Sequence, residues 1–257
     1  MLMEANLSRF RIEALEGAYY VPNFITRDEE EYLIRKICES PQPQWKSLAK
    51  RRLQIWGGDI TAKGTLMPQP LPVFVNKFPD ILSRIRTTGC FEGSPHGAPN
   101  HIIMNEYIPG QGIMPHEDGP QYYPVVATLS LGSHAIFHYY RYQDEPDAVA
   151  SSASSTGQGR AIDTRPMTSV LLEPRSLIIS SGIAYTSRLH GIDAVEEDLI
   201  ALDNSSPGTA ISNMKYLQDP EIERSIQQGV PIKRGTRYSL TCRDVERVSS
   251  LSTHSRR

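Results

Sequence analysis

The chain is poor in several features that would settle its class at once. It holds three cysteines, Cys38, Cys90 and Cys242, odd in number and far apart. They make no disulfide framework and suit the reduced thiols of a cytosolic or nuclear protein. No apolar run approaches the roughly 18 residues of a membrane-spanning helix. The opening MLMEANLSRFRIEALEG never widens into an apolar stretch, which argues against secretion. A dominant charge is missing too: 27 Lys+Arg stand against 29 Asp+Glu, a net of −2. That excludes a uniformly basic nucleic-acid coat and leaves room for a local basic surface. No repeat of solenoid period is present. The 257 residues, 39% of them hydrophobic, are ample for a core in one domain without a disulfide or metal staple.

The first third reads as helical. Thr26 before Asp28, Glu29 and Glu30 is an N-cap with acids in the first turn, and Tyr32, Leu33, Lys36 and Ile37 follow at helical spacing. Pro41 and Pro43 end that helix. From Pro41 to Gly58, Lys46, Lys50, Arg51 and Arg52 meet no acid and lie between Trp45 and Trp56. Basic residues interleaved with aromatics can track a phosphate backbone and stack on bases; a solvated loop with core-anchoring tryptophans is the plainer alternative. Val73–Ile85 reads as a second helix interrupted by Pro79.

Strand patterns then take over: His101–Tyr107, Val125–Tyr140 with a break at Gly132-Ser133, Ser169–Leu172, Ser176–Ser180 and Arg237–Arg243. Residues 144–165 are low in complexity, and a second irregular stretch runs from Asp198 to Gly229. Both are expected to be mobile inserts. Early helices followed by short strands indicate an α+β fold whose β part is a barrel or jelly roll.

Three short patterns carry chemistry. In His116-Glu117-Asp118 an extended backbone turns His116 and Asp118 to one face and Glu117 to the other. His190, followed by Gly191, is the best third ligand. Two imidazoles and one carboxylate on one face of an octahedron leave three positions open, which suits a non-haem Fe(II) oxygenase. The second pattern is Arg237–Arg243, whose alternation puts Arg237, Ser239, Thr241 and Arg243 on one face, opposite Tyr238, Leu240 and Cys242. Two arginines turned into a barrel are costly unless an anion meets them, and 2-oxoglutarate would do so through its carboxylates; structural salt bridges would also answer them. Third, Asn105 and Tyr107 share a strand face and offer an amide and a phenol to the same cosubstrate. His134 and His138 share a face as well but read as hydrogen-bonded structural histidines. Tyr122 and Tyr123 either pack the barrel or line the substrate entrance.

Taken together, Asn105–Gly110, His116-Glu117-Asp118, His190 and Arg237–Arg243 resemble the AlkB-like Fe(II)/2-oxoglutarate dioxygenases, over about residues 18–248. The segments Gly112–Pro120, Ser130–His134 and Leu172–Ser176 lie nearest one animal and plant subgroup of that family. The resemblance implies an α+β fold: a double-stranded β-helix (jelly-roll) core with N-terminal helices packed against it, in a single domain over 1–257. Helices and a nucleotide-recognition lid would occupy 18–95, and the dioxygenase core 96–248.

It further implies Fe(II) on His116, Asp118 and His190, 2-oxoglutarate on Asn105, Tyr107, Arg237 and Arg243, and dioxygen as the second cosubstrate. Arg52–Gly57 is similar to the family's lid, so Lys50, Arg51, Arg52, Gln54, Trp56 and Tyr123 are taken as substrate-binding candidates. The implied activity is oxidative N-demethylation of methylated nucleic acid, single-stranded RNA ahead of DNA, in nucleus and cytoplasm. Two departures stand out. His190 and Arg237 are separated by the 198–229 insert, which could cover the site or dock a protein partner, and Ser239 stands where relatives commonly carry an amide. A dioxygenase acting on a protein or small molecule, and a modified-RNA binder with little turnover, remain open beside the demethylase. A zinc hydrolase is disfavoured by the paired arginines and the Asn105/Tyr107 element.

Overall fold

The computed structural model describes residues 7–143, 160–203 and 205–250. Its strands are β1 (Ala18–Val21), β2 (Lys46–Leu48), β3 (Arg51–Trp56), β4 (Gly58–Ile60), β5 (Thr65–Pro68), β6 (His101–Tyr107), β7 (Ile113–His116) and β8 (Tyr122–Leu131). They continue as β9 (Ala135–Tyr140), β10 (Thr168–Leu172), β11 (Leu177–Ser181), β12 (Leu189–Ile192), β13 (Glu197–Asp198), β14 (Ile232–Lys233), β15 (Arg237–Val245) and β16 (Arg247–Val248). Two sheets face each other: a major one in the order β1-β11-β8-β15-β6-β3-β2 and a minor one in the order β10-β9-β12-β7. From β6 to β12 the chain passes back and forth between them, and β15 closes the major sheet between β6 and β8. This is the double-stranded β-helix, and the α+β expectation stands.

Alternation along each strand decides what each face of the major sheet meets. Ile102, Met104, Ala127, Leu129, Leu177, Ile179, Leu240 and Cys242 pack on the helical side, against Leu33, Ile37, Ile81 and Ile85. The helix Arg27–Cys38 begins with Thr26 in a capping box with Glu29, as its sequence predicts. The expected second helix is two, Val73–Asn76 and Ile81–Thr87, parted at Pro79, which has no N–H to give an unbroken helix.

The space between the sheets is divided lengthwise. One end is filled by Tyr20, Phe137, Tyr139, Val170, Leu172 and Ile178. The other end is lined by polar side chains from both sheets and holds a cavity of about 200 Å³.

The second insert departs from expectation. It contains a nine-residue helix, Pro220–Gln228, capped by Asp219 and ended by Gly229 in the left-handed region. Ile222 and Ile226 pack with Leu217 and Ile200 on Ile136 and Leu171, the outer face of the minor sheet. Asn213, fully buried, donates to Leu171 O and accepts from Leu171 N, both at 2.9 Å. Glu173 accepts from the backbone N–H groups of Gln218 and Asp219 at 2.9 and 2.7 Å. The stretch is a fourth packed layer, held by apolar burial and backbone hydrogen bonds; it is not irregular chain. The mobile insert expected over 144–165 lies mostly outside the described residues; at its end Ile162 bridges Tyr142. Among the described residues no helix is long and apolar enough to cross a membrane.

Candidate active site

Strand pairing brings the sequence-distant ligand candidates together. β12 pairs antiparallel with β7 so that His190 and His116 are register partners, and their rings lie 4.4 Å apart. Asp118 follows β7, with its carboxylate 3.9 Å from His190 Nε2. One ligand atom from each of the three falls within 4.8 Å of the others. His116 Nδ1 is 2.9 Å from Met114 O and donates to it, which leaves Nε2 free for a metal. Phe137 stacks on the His190 ring at 5.2 Å and fixes its plane.

Electrostatics favour the protonation states a metal needs. Burial pushes His190 down to about 4 and lowers His116 as well, so both imidazoles are neutral at pH 7. Burial works against the charge of Asp118. The neighbouring Arg243 and His190 outweigh it and hold the carboxyl below its usual range. Arg243 Nη2 donates to Asp118 Oδ1, while Asp118 Oδ2 has no partner among the described residues.

The two arginines of β15 lie in the same cavity, as alternation predicts. Arg237 is 3% exposed. Its Nη2 donates to Ser130 Oγ at 2.8 Å and its Nε has no partner. Burial pushes it down to about 10. Arg243 is 5% exposed, with Nε and Nη1 unpartnered. Buried guanidinium donors without acceptors cost stability, so the cavity is built for an anion. Tyr107 and Asn105 face the same space from β6, with Arg237 Cζ 5.8 Å from the Tyr107 ring centroid. The set fits Fe(II) and a dicarboxylate together: a His₂Asp face with open positions, next to two cations aimed into the cavity. A zinc hydrolase would leave the unpartnered Nε of Arg237 and the unpartnered Nε and Nη1 of Arg243 unanswered.

The lid candidates divide by strand parity. Arg51 lines the cavity and donates from Nε to Asn105 Oδ1 at 3.0 Å. Lys50 is exposed at the β2–β3 turn. The even-numbered residues of β3 are corrections, because they turn to the helical side, away from the cavity. Arg52 Nη2 donates to Glu106 Oε2 at 2.7 Å, and its Cζ lies 3.9 Å over the Trp45 ring. Gln54 is 1% exposed and accepts from Trp56 Nε1 at 3.0 Å, and Trp56 packs edge-on against Phe74. These three hold the hairpin to the body. Tyr123 likewise packs on the helical core, whereas Tyr122 lines the cavity with its ring 5.0 Å from Arg243 Cζ. Of the plainer reading of 41–58 the solvated loop fails, since Arg52–Trp56 pair with β6, while the core-anchoring tryptophans hold: Trp56 is buried in the core and Trp45 packs against it.

Other side chains enter the site without having been singled out for it. Glu117 lines the cavity rim instead of turning away, and accepts from the Tyr142 hydroxyl at 2.9 Å. Thr128, Phe137 and Ile113 complete the wall. Tyr185 donates to Gly119 O at 3.0 Å, tying down the loop after Asp118. His134 and His138 are structural, as expected: His134 Nε2 is 3.1 Å from Asp198, and His138 Nδ1 is 2.8 Å from Ser169 Oγ.

Residues 17–243 match the sequence profile of the 2OG-Fe(II) oxygenase superfamily. The chain is 37% identical over 245 residues to the zebrafish (Danio rerio) protein called probable RNA/DNA demethylase ALKBH6, covering 92% of this chain and 88% of that one. It is 26% identical over 254 residues to the Macaca fascicularis tRNA (carboxymethyluridine(34)-5-O)-methyltransferase ALKBH8, of which it spans 33%. The solved structure of OsALKBH1 matches with a TM-score of 0.52 at 16% identity, over 89% of this chain and 98% of that one. That likeness supports the fold.

Proposed function

Because the chain belongs to the 2OG-Fe(II) oxygenase superfamily, we propose that it demethylates nucleic acid oxidatively, with single-stranded RNA as substrate. The observation that carries this reading is a convergence on one cavity: the His₂Asp set, two buried arginines with guanidinium donors left unpartnered, and Arg51 from a basic hairpin. Two relatives, one called a probable RNA/DNA demethylase and the other a tRNA methyltransferase, point the same way.

Iron(II) with 2-oxoglutarate and dioxygen supplies oxidation of a C–H bond, and an N-methyl group so hydroxylated leaves as formaldehyde. His116, Asp118 and His190 would hold the metal. Arg237 takes the distal carboxylate of 2-oxoglutarate, Tyr107 and Asn105 flank it, and Arg243 orients Asp118. Arg51 and Lys50 meet the substrate strand at the open side of β3. The cavity is too small to admit a stacked duplex, so a base must be unpaired or flipped out, at a cost of a few kcal/mol when paired. A nuclear and cytoplasmic place of action goes with that substrate, and three free cysteines suit a reducing compartment.

The test is formaldehyde release from a panel of methylated RNA and DNA oligonucleotides, single-stranded and duplex, by the Fe(II)-reconstituted protein. Single-stranded methylated RNA is expected to react fastest. Lys50→Glu with Arg51→Glu is expected to weaken substrate binding about tenfold or more at low salt. Formaldehyde from no oligonucleotide, with an oxidised peptide recovered instead, would replace this reading with a protein substrate.

A further inference from the structure

Beside the catalytic cavity lies a second, polar depression of about 240 Å³, lined by Lys63, Gly64, Pro120, Gln121, Glu246 and Arg247. We infer that it is a phosphate subsite that binds the backbone of the substrate strand a few nucleotides from the base in the cavity. The inference rests on the nucleic-acid reading above and adds where the strand runs.

Its position follows from register. Arg237 is the β15 partner of Tyr107, and Arg243 the partner of His101, so the row holding Arg51, Tyr107 and Arg237 lies at one end of the cavity. Asp118 and Arg243 lie at the other. Six steps along the strand separate the two arginines, about 20 Å at strand rise. Arg247 lies beyond Arg243, on β16, where it pairs in parallel with Thr65. The depression is therefore at the far end of the cavity from the basic hairpin. A strand contacting Lys50 at one end and Arg247 at the other would cross the mouth between them.

The wall between cavity and depression is one loop: Glu117 lines the cavity, and Pro120 and Gln121 line the depression. That loop is tied down by Tyr185 on Gly119 O. The opposite wall is a built turn: Gly64 N donates to Thr61 O at 2.9 Å, and Thr65 N to Thr61 Oγ1 at 3.1 Å. The turn presents Lys63 beside Arg247. The Gln121 side chain lies against Gly64, where an added Cβ would come 3.5 Å from its Cγ. Among the described residues neither Lys63 nor Arg247 has an ion pair, in contrast to Arg52, Arg84, Arg175 and Arg234. Glu246 is the one acid in the lining, so the two cations leave a net positive charge in a chain that is −2 overall. Two free donors from a cation pair and an amide suit a phosphodiester oxygen. A divalent cation would meet more positive than negative charge there.

The experiment is binding of methylated single-stranded RNA of about ten nucleotides and of a methylated trinucleotide, to wild type, K63E/R247E and K63Q/R247Q. None of these residues touches the iron or 2-oxoglutarate positions, so 2-oxoglutarate affinity and uncoupled succinate formation stay at wild-type level and report correct folding. K63E/R247E is expected to weaken the long strand about tenfold and to lower its salt slope by about 0.7, the value for one lost phosphate contact on a single strand. The Gln pair falls between, and the trinucleotide is unaffected. Equal losses on both lengths, or none on the long strand, would overturn the subsite while leaving the demethylase reading intact. Wild type that binds neither length would overturn both.

Discussion

The guanidinium of Arg237 is buried with one donor on Ser130 and Nε without a partner, and this asymmetry separates a binding role from a structural one. If the residue is there for an anion, Arg237→Met removes a binding partner worth about 2–5 kcal/mol to 2-oxoglutarate. It also relieves a buried, half-satisfied charge. Isothermal titration is expected to show 2-oxoglutarate affinity down thirtyfold or more, and thermal melting of the ligand-free protein unchanged or raised. A drop in melting temperature with unchanged affinity would make Arg237 structural. His101 offers a second test at this scale. It is 3% exposed, and burial pushes it down to about 4 from an ordinary value near 6.5. Between those values the unfolded chain binds the proton and the folded one does not. Stability is therefore full above about pH 6.5 and falls as pH drops towards 4, by about 3 kcal/mol for this group. His101→Gln is expected to flatten the denaturation free energy against pH by close to one proton over that window. The candidate ligand and cosubstrate residues were legible in the sequence because their residue types are rare inside a strand and the spacings within His116-Glu117-Asp118 and Arg237–Arg243 put them on one face. Strand parity also decides between Tyr122 and Tyr123, and it selects Tyr122 for the cavity. The polar Thr128 and Ser130 share its parity on β8, while Tyr123 shares that of Ala127 and Leu129. Applied to β3, the same parity separates Arg51 from Arg52, Gln54 and Trp56.

Elements divide into those whose signals are local and those that depend on a partner far along the chain. The helix Arg27–Cys38 and β15 announce themselves by cap and by alternation. The helix Pro220–Gln228 carried equally local signals: Asp219 as cap, Pro220 in the first turn, Ile222 and Ile226 four apart, and Gly229 at the end. They lay among short polar segments that have no period of their own. What no local pattern gives is the seat of that insert on the minor sheet, made by Asn213 with both polar groups of Leu171. Asn213→Ala leaves those two buried groups unsatisfied, at about 1–3 kcal/mol each. Hydrogen exchange is expected to rise first over residues 205–230 and β10, with the iron site still able to bind metal. Exchange confined to β7 and β12 would place the insert's anchor elsewhere. The β2–β3 hairpin is fastened in the same long-range way, through Arg52 between Glu106 and Trp45.

At the scale of the molecule, the jelly roll does one thing the sequence order conceals: it closes a gap of more than seventy residues between His116 and His190 by making them strand neighbours. It divides the space between its sheets into an apolar end that supplies stability and a polar end that cannot be satisfied without a ligand. The α+β class was readable in advance from the order of the elements, and the candidate metal face and paired arginines from residue type and strand parity. The division of the interior was not, since it depends on which strand lies opposite which. The most direct test of the whole account is the stoichiometry of 2-oxoglutarate turnover by Fe(II)-loaded protein with a methylated single-stranded RNA, for wild type and Asp118→Ala. Succinate and formaldehyde are expected in about one-to-one yield from wild type and neither from the variant. Formaldehyde that persists in Asp118→Ala, or succinate that no methylated strand stimulates or matches with formaldehyde, would contradict this.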